Sequence, residues 1–138
     1  MIRLIIVLLC LVPAFGCPTK FESELFRVVK GIAMEESRND DSAFNEKEQA
    51  IGRLQIRPIM LRDFNINNKK QFKHTDCYNY EVSLEIFIWY SKHYSMNEDM
   101  NIVIRRWNGG PTGHRKTSTL KYLERVKAYL WVKENFYN

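Results

Sequence analysis

Apolar side chains recur at helical spacing in five stretches of the chain. These predict helices over residues 20–36, 58–64, 79–94, 97–108 and 119–134. The Thr-x-x-Glu sequence beginning at Thr19 is a capping box, Pro58 suits a first helical turn, and Asn79 and Asn97 can cap the third and fourth helices. A weak strand signal lies between residues 42 and 54. The pattern predicts a mainly α (α+β) single domain with a small β-hairpin lobe.

The apolar stripe of the first helix ends on a carboxylate. Leu25, Val29 and Ile32 share one face, and Glu36 continues that face, whereas Glu35 does not. A carboxyl group held among apolar neighbours is desolvated, which disfavours its charged form and raises its pKa. A general acid that works near neutral pH needs this shift. Glu36 is therefore a candidate acid. The alternative is a solvated residue just past the last turn.

A polar loop follows the candidate acid. Residues 37–49 are rich in Asn and Asp, which favour turns. The more apolar sequence AIGRLQI follows over residues 50–56, and Gly52 within it allows a close backbone approach. The sequence WNGG over residues 107–110 predicts the end of the fourth helix. We expect residues 36–55 to form the floor of a site.

The first residues have the features of a secretory signal. Arg3 gives a positive start, residues 4–15 form an almost unbroken apolar run, and small residues at Ala14 and Gly16 suit cleavage after Gly16. We expect a signal peptide over residues 1–16, a mature domain over 17–138, and a secreted or periplasmic, cell-envelope location. Two alternatives to cleavage remain: the segment stays as an uncleaved anchor, or a lipid is attached to Cys17. We expect no other attachment to a membrane.

Composition narrows the partners and the chemistry. The 138 residues are 45% hydrophobic and 27% charged, with a net charge of +5, which is typical of one globular domain with an anionic partner. Scattered cations and ordinary apolar stripes argue against a nucleic-acid-binding or membrane-disrupting protein. No cofactor is predicted, and the three histidines lack metal-ligand spacing with the cysteines. Cys17 and Cys77 could pair, but spacing alone does not decide this.

Four segments in order resemble a known family. They are Glu36-Ser37 followed by Ala43, the AIGRLQI segment, the WNGG segment, and TLKYLERV over residues 119–126. Together they resemble the soluble lytic transglycosylase catalytic domain of the lysozyme superfamily, over about residues 20–132. Trp107 stands where that family usually has Tyr, and Arg53-Leu54 replaces the common Leu-Met before Gln.

The resemblance implies a lysozyme-like fold and a peptidoglycan glycan strand as substrate. It implies cleavage of the β-1,4 bond between N-acetylmuramic acid and N-acetylglucosamine, with a 1,6-anhydro product. Glu36 would be the single acid and base, and Ser37 would support it. Gln55 and Asn108 would hold substrate groups, and Tyr122 would be a positioning hydroxyl. Such domains act alone or within phage, secretion or conjugation assemblies.

Other interpretations remain beside this one. A hydrolytic lysozyme, or muramidase, would need a second acid, and the loop supplies four candidates: Asp40, Asp41, Glu46 and Glu48. A non-catalytic peptidoglycan-binding module could keep the same fold. The site residues also have structural alternatives, namely a loop cap for Ser37, a solvated turn for Gln55, a helix stop for Asn108 and core packing for Tyr122. The three tryptophans are expected in the core.

Overall fold

The computed structural model describes residues 17–137, so the predicted signal segment lies outside the described residues. The helices are α1 (Lys20–Ser37), α2 (Pro58–Asn68), α3 (Tyr80–Ser95), α4 (Met100–Gly109) and α5 (Leu120–Phe136), and the strands are β1 (Phe44–Asn45) and β2 (Ala50–Ile51). Short 3₁₀ turns cover His74–Tyr78, Gly113–Arg115 and Thr117–Thr119. The predicted mainly α domain with a small hairpin is confirmed.

The ends of α1 follow from its sequence. The Thr19 hydroxyl accepts a hydrogen bond from the Glu22 N–H, and the Glu22 carboxylate accepts one from the Thr19 N–H, so the predicted capping box is confirmed. The helix ends where Arg38 adopts a left-handed conformation and its N–H bonds to the Ala33 and Met34 carbonyls. The buried side chains of α1 include Leu25, Val29 and Ile32, as predicted.

The hairpin lobe is small. Phe44 pairs with Ile51 and Asn45 with Ala50 in an antiparallel ladder, and both β2 side chains are buried while both β1 side chains are exposed. Each strand has only two residues, one strand exposed and the other buried, so neither shows the apolar–polar alternation by which a strand is recognised in a sequence. The hairpin directly follows the loop after α1, so it stands beside the end of that helix.

Two helix boundaries differ from prediction. The second helix continues to Asn68 because the Asn67 and Asn68 side chains donate to the Asp63 and Phe64 carbonyls within the helix instead of stopping it. Asn97 is not the cap of α4. It has φ +60° in the turn between helices, and Asp99 caps α4 by accepting from the Asn101 N–H.

Helices α1 and α5 lie side by side and run in opposite directions. Arg27 pairs with Glu134 at 2.9 Å, Arg125 pairs with Glu35, and the Tyr122 hydroxyl donates to Glu36. In these pairs, the later a residue comes in α1, the earlier its partner comes in α5. The start of α1 therefore lies beside the end of α5.

Nearly all the buried apolar side chains of the described residues form one core cluster. It joins buried side chains from all five helices and from the segment after β2, including Ile32, Phe64, Phe87, Val103 and Val126. Trp107 is buried and packs edge-on against Phe87, with ring centroids 5.0 Å apart, as expected of a core tryptophan. The prediction was wrong for Trp131, which is 59% exposed, because it points about 100° away from Leu130, which is on the buried face of α5.

The cysteines do not pair. Cys17 is exposed, Cys77 is buried, and both are free thiols. Burial raises the pKa of the Cys77 thiol to about 12, so it remains protonated and packs as a small apolar side chain. Within residues 17–137, no helix is long and apolar enough to span a bilayer.

Candidate functional site

Glu36 lies in the last turn of α1, where it is partly buried. The apolar stripe of the helix leads to it, as predicted, and its neighbour Glu35 turns instead to an ion pair with Arg125. Burial raises the pKa of Glu36 to about 7. The Tyr122 hydroxyl and the positive charge of Arg57 oppose this rise, and the charges of Glu35 and Glu48 reinforce it. Glu36 therefore exchanges a proton near neutral pH.

Tyr122 fixes one oxygen of this carboxyl group. Its side chain is 4% exposed, and its hydroxyl donates to Oε1 of Glu36 at 2.7 Å. Burial and the adjacent Glu36 carboxylate raise the pKa of Tyr122 well above its ordinary value, so the hydroxyl keeps its proton. The Tyr122 side chain packs in the core, as one of the two alternatives in the sequence predicted, and its hydroxyl contacts the Glu36 carboxyl group. The second carboxyl oxygen is left for another partner.

Ser37 ties the end of α1 to the turn after β2. Its hydroxyl donates to the Arg53 carbonyl at 2.9 Å and accepts from the Asp40 N–H at 3.1 Å. Ser37 is the sequence neighbour of Glu36, but none of its described hydrogen bonds reaches the Glu36 carboxyl group. Ser37 thus holds two segments in register, and the expected direct support of Glu36 is replaced by support of the backbone on either side.

The AIGRLQI segment folds into a tight turn. The Ile51 and Ile56 backbones exchange hydrogen bonds of 3.2 and 2.9 Å, and the Gln55 N–H closes the turn on the Gly52 carbonyl at 3.0 Å. Gly52 has φ +76°, and a Cβ there would lie 2.2 Å from the Cys77 carbonyl oxygen. The predicted close backbone approach at Gly52 is therefore confirmed.

Gln55 is held by this turn. It has φ +52°, which is uncommon for a residue with a side chain, and its amide nitrogen donates to the Gly52 carbonyl at 3.0 Å and the Ala43 carbonyl at 3.4 Å. Within the described part of the chain its amide oxygen has no hydrogen-bond partner. The strained backbone and the tethered nitrogen orient that oxygen, which can accept a hydrogen bond from a ligand.

Arg57 and Glu48 form an ion pair that the sequence analysis missed. The Arg57 Nε and Nη2 atoms both lie 2.9 Å from Oε2 of Glu48, which joins the hairpin to the start of α2. Both charges act on the pKa of Glu36. One sequence signal could have found Arg57: it occupies the N-cap position before Pro58, where Ser, Thr, Asp or Asn is usual, and it makes no side-chain cap.

Asn108 lies half-buried in the last turn of α4, before the stop at Gly110 with φ +81°. Its structural role at the helix end is as expected. None of the hydrogen bonds among residues 17–137 joins it to Glu36 or Gln55. The structure thus brings Glu36 and Tyr122 into contact and links Ser37 to the Gln55 turn, and it leaves Asn108 outside this hydrogen-bond network.

A groove of about 840 Å³ lies on the neighbouring surface. Tyr80, Tyr129, Val132 and Tyr137 supply much of its apolar lining, and Arg53 contributes its guanidinium. That guanidinium pairs bidentately with Asp41 at 2.8 Å and lies 4.3 Å from the Tyr80 ring centroid. The groove begins at the turn that carries Gln55 but is not lined by Glu36.

Comparison with known proteins gives no relative of this chain: no family model, no curated protein and no solved structure matches it.

Proposed function

We propose that this chain is a peptidoglycan lytic transglycosylase with Glu36 as its single acid and base. The observation that carries the proposal is the Glu36 carboxyl group, whose pKa burial raises to about 7 while the Tyr122 hydroxyl holds one of its oxygens. The ordered resemblance of four sequence segments to that family supports it independently. The scissile bond is the β-1,4 linkage between N-acetylmuramic acid and N-acetylglucosamine.

The reaction assigned to Glu36 has two proton transfers. The protonated carboxyl group gives its proton to the glycosidic oxygen as the bond to the muramic anomeric carbon breaks. The resulting carboxylate then takes the proton of the muramic 6-hydroxyl, whose oxygen bonds to that carbon and forms the 1,6-anhydro ring. No water is consumed, and Glu36 ends protonated. A pKa near 7 serves both steps because neither protonation state is costly to reach at neutral pH.

The other site residues have roles that follow from their contacts. The free amide oxygen of Gln55 can accept from the N–H of an N-acetyl group, and Ser37 keeps the Gln55 turn against the end of α1. Asn108 lies in the last turn of α4, and we assign it to the same substrate through the resemblance.

A hydrolytic lysozyme is the second candidate, and one observation favours it. Glu48 is close enough for its charge to raise the pKa of Glu36, and Arg57 holds it in place. Of the four loop carboxylates considered in the sequence, Glu48 is the one among the charges that shift the pKa of Glu36, and Asp40, Asp41 and Glu46 are not. Glu48 is therefore our choice for a second carboxylate that would activate water.

Mass spectrometry of the products tests the proposal. Purified peptidoglycan is incubated with wild type, with Glu36→Gln, and with Glu24→Gln as a matched control on the same helix. We expect 1,6-anhydromuropeptides from wild type and the control, and a loss of about 10³-fold or more in Glu36→Gln, because the acid and the base are removed together.

Other outcomes would replace the proposal. Reducing-end products that disappear in both Glu36→Gln and Glu48→Gln would establish the hydrolytic lysozyme. Binding of the wall without release of any product, equal in all variants, would establish a non-catalytic peptidoglycan-binding module.

A further inference from the structure

The end of α5 exposes an unusual number of large apolar side chains. We define the α5 tip by Trp131, Val132, Phe136 and Tyr137, which are 59%, 42%, 67% and 77% exposed. The Trp131 and Phe136 rings pack edge-on with centroids 5.8 Å apart. Isolated exposed apolar residues are common on proteins, but a cluster of this kind is typical of a contact surface.

Cations surround the α5 tip. Lys30 and Lys133 line the 840 Å³ groove together with Val132 and Tyr137, and that lining includes no carboxylate. Lys127 stands on the other side, in a smaller groove that Trp131 also lines, and the one carboxylate of that lining, Glu134, is paired with Arg27. In the described structure none of these three lysines has an ion-pair partner. The surface thus combines aromatic rings with ammonium groups that are free to meet anions.

The fold places the start of the described chain at this same end. Because α1 and α5 are antiparallel, with Arg27 beside Glu134, the helix start at Lys20 lies near the end of α5. Cys17 comes three residues earlier, and the apolar sequence over residues 4–15 precedes it. If that segment is kept as an anchor or replaced by a lipid on Cys17, and not simply cleaved off after Gly16, the membrane would meet the molecule on the side where α1 begins.

We propose that the α5 tip docks on a lipid bilayer that carries anionic headgroups. Trp, Tyr and Phe side chains partition into the interfacial region of a bilayer, and each nearby lysine gains from the negative surface potential. Glu98 and Asp99 line a pocket with Lys20 at the start of α1, and none of the four side chains of the α5 tip lines that pocket. The contact is independent of any reaction at Glu36.

Vesicle binding by residues 17–138 tests this contact without the apolar leader. The buried core cluster of the described residues is built from side chains within this part of the chain, and circular dichroism checks that residues 17–138 are folded. Vesicles of phosphatidylglycerol and phosphatidylcholine, and of phosphatidylcholine alone, are sedimented with the protein. We expect binding to the anionic vesicles, and a blue shift of tryptophan fluorescence that comes from Trp131, since Trp107 is 3% exposed and Trp89 is partly buried against the core.

The decisive variant is Trp131→Ala/Phe136→Ala. It should weaken partitioning about tenfold or more and abolish the blue shift, because both rings leave the interface. Ile66→Ala/Met96→Ala is the matched control, since Ile66 and Met96 are 69% and 55% exposed on other elements. Circular dichroism checks that each variant is folded.

Three results would overturn the proposal. They are absence of vesicle binding by wild type, equal loss of binding in both double variants, and binding that is as strong to neutral as to anionic vesicles. Self-association in solution that Trp131→Ala/Phe136→Ala abolishes, with no vesicle binding, would assign the α5 tip to a second copy of the chain instead.

Discussion

Two adjacent carboxylates in the last turn of α1 behave differently. Glu35 reaches outward to the guanidinium of Arg125, while Glu36 turns toward the buried ring of Tyr122. Successive helical residues point about 100° apart, so these two partly buried carboxylates meet different partners, a guanidinium for Glu35 and a phenol hydroxyl for Glu36. Burial of the Glu36 carboxyl group, and not its being a glutamate, is what raises its pKa and makes it the candidate acid.

Tyr122→Phe should raise the pKa of Glu36 further. The Tyr122 hydroxyl lowers that pKa by bonding to the charged form, and Phe keeps the ring that buries the carboxyl group but removes this bond. We expect a rise of about one pH unit. It is measured from the ¹³Cδ shift of labelled glutamate, with Glu36→Gln assigning the signal. Tyr129→Phe, on the same helix, should leave the pKa unchanged. A lower pKa in Tyr122→Phe would contradict the assigned bond.

The helical stripe and the loop after it were enough to select Glu36 from the sequence. Tyr122 could be named only through the resemblance, since 86 positions separate it from Glu36 and the apolar period of α5 is the same whether it binds the carboxyl group or only fills space. Glu48 was named only as a candidate acid, and its ion pair with Arg57 was missed because a pair between a hairpin and a helix start depends on a fold that periodicity does not specify.

At the scale of elements, the turn after β2 is the most constrained feature. Gly52→Ala combines an unfavourable φ of +76° with a Cβ 2.2 Å from a backbone oxygen that cannot move aside cheaply. We expect a loss of about 3 kcal/mol or more in the free energy of unfolding. Equilibrium denaturation with urea measures it.

Gly110→Ala is the matched control for that substitution. Its φ of +81° is similar, but nothing lies within 4 Å of the added Cβ. Only the backbone strain remains, and the ψ of −176° places Gly110 in a region that is essentially restricted to glycine, so we expect a loss of about 1–3 kcal/mol, smaller than at Gly52. Equal losses at the two glycines would mean that the Cys77 contact does not constrain the turn.

Element type was predicted better than element ends. All five helices were expected, because each shows apolar residues at helical spacing over several turns. The hairpin was expected from the turn-forming residues between positions 37 and 49. The error at Asn97 has a physical cause: both Asn97 and Asp99 favour a cap, and the turn after α3 needs a left-handed residue, which Asn tolerates better. The length of α2 was underestimated because Asn was taken only as a helix stop.

At the scale of the whole molecule, the raised pKa of Glu36 makes stability depend on pH. The native state binds this proton more tightly than the unfolded chain, whose ordinary pKa is 4.5. The resulting stabilisation is complete below pH 4.5 and is lost as pH rises through about 7. We expect wild type to lose on the order of 2 kcal/mol between pH 5 and 8 relative to Glu36→Gln.

Urea unfolding of both proteins across that range measures this difference. Comparing them cancels other titrations, such as that of His114, whose pKa is lowered chiefly by burial and by nearby arginines. Glu22, with a pKa lowered to about 2 by its bonds to Lys92 and Thr19, acts only at more acidic pH. Parallel curves for wild type and Glu36→Gln would show that Glu36 titrates normally.

The pairing of α1 with α5 has a consequence for how the chain is made. Glu36 belongs to α1, whereas Tyr122 belongs to α5, 86 positions later. A nascent chain that has not yet reached Tyr122 lacks both the ring and the hydroxyl that contact the Glu36 carboxyl group. The environment of Glu36 described above is therefore assembled only after α5 has been synthesised.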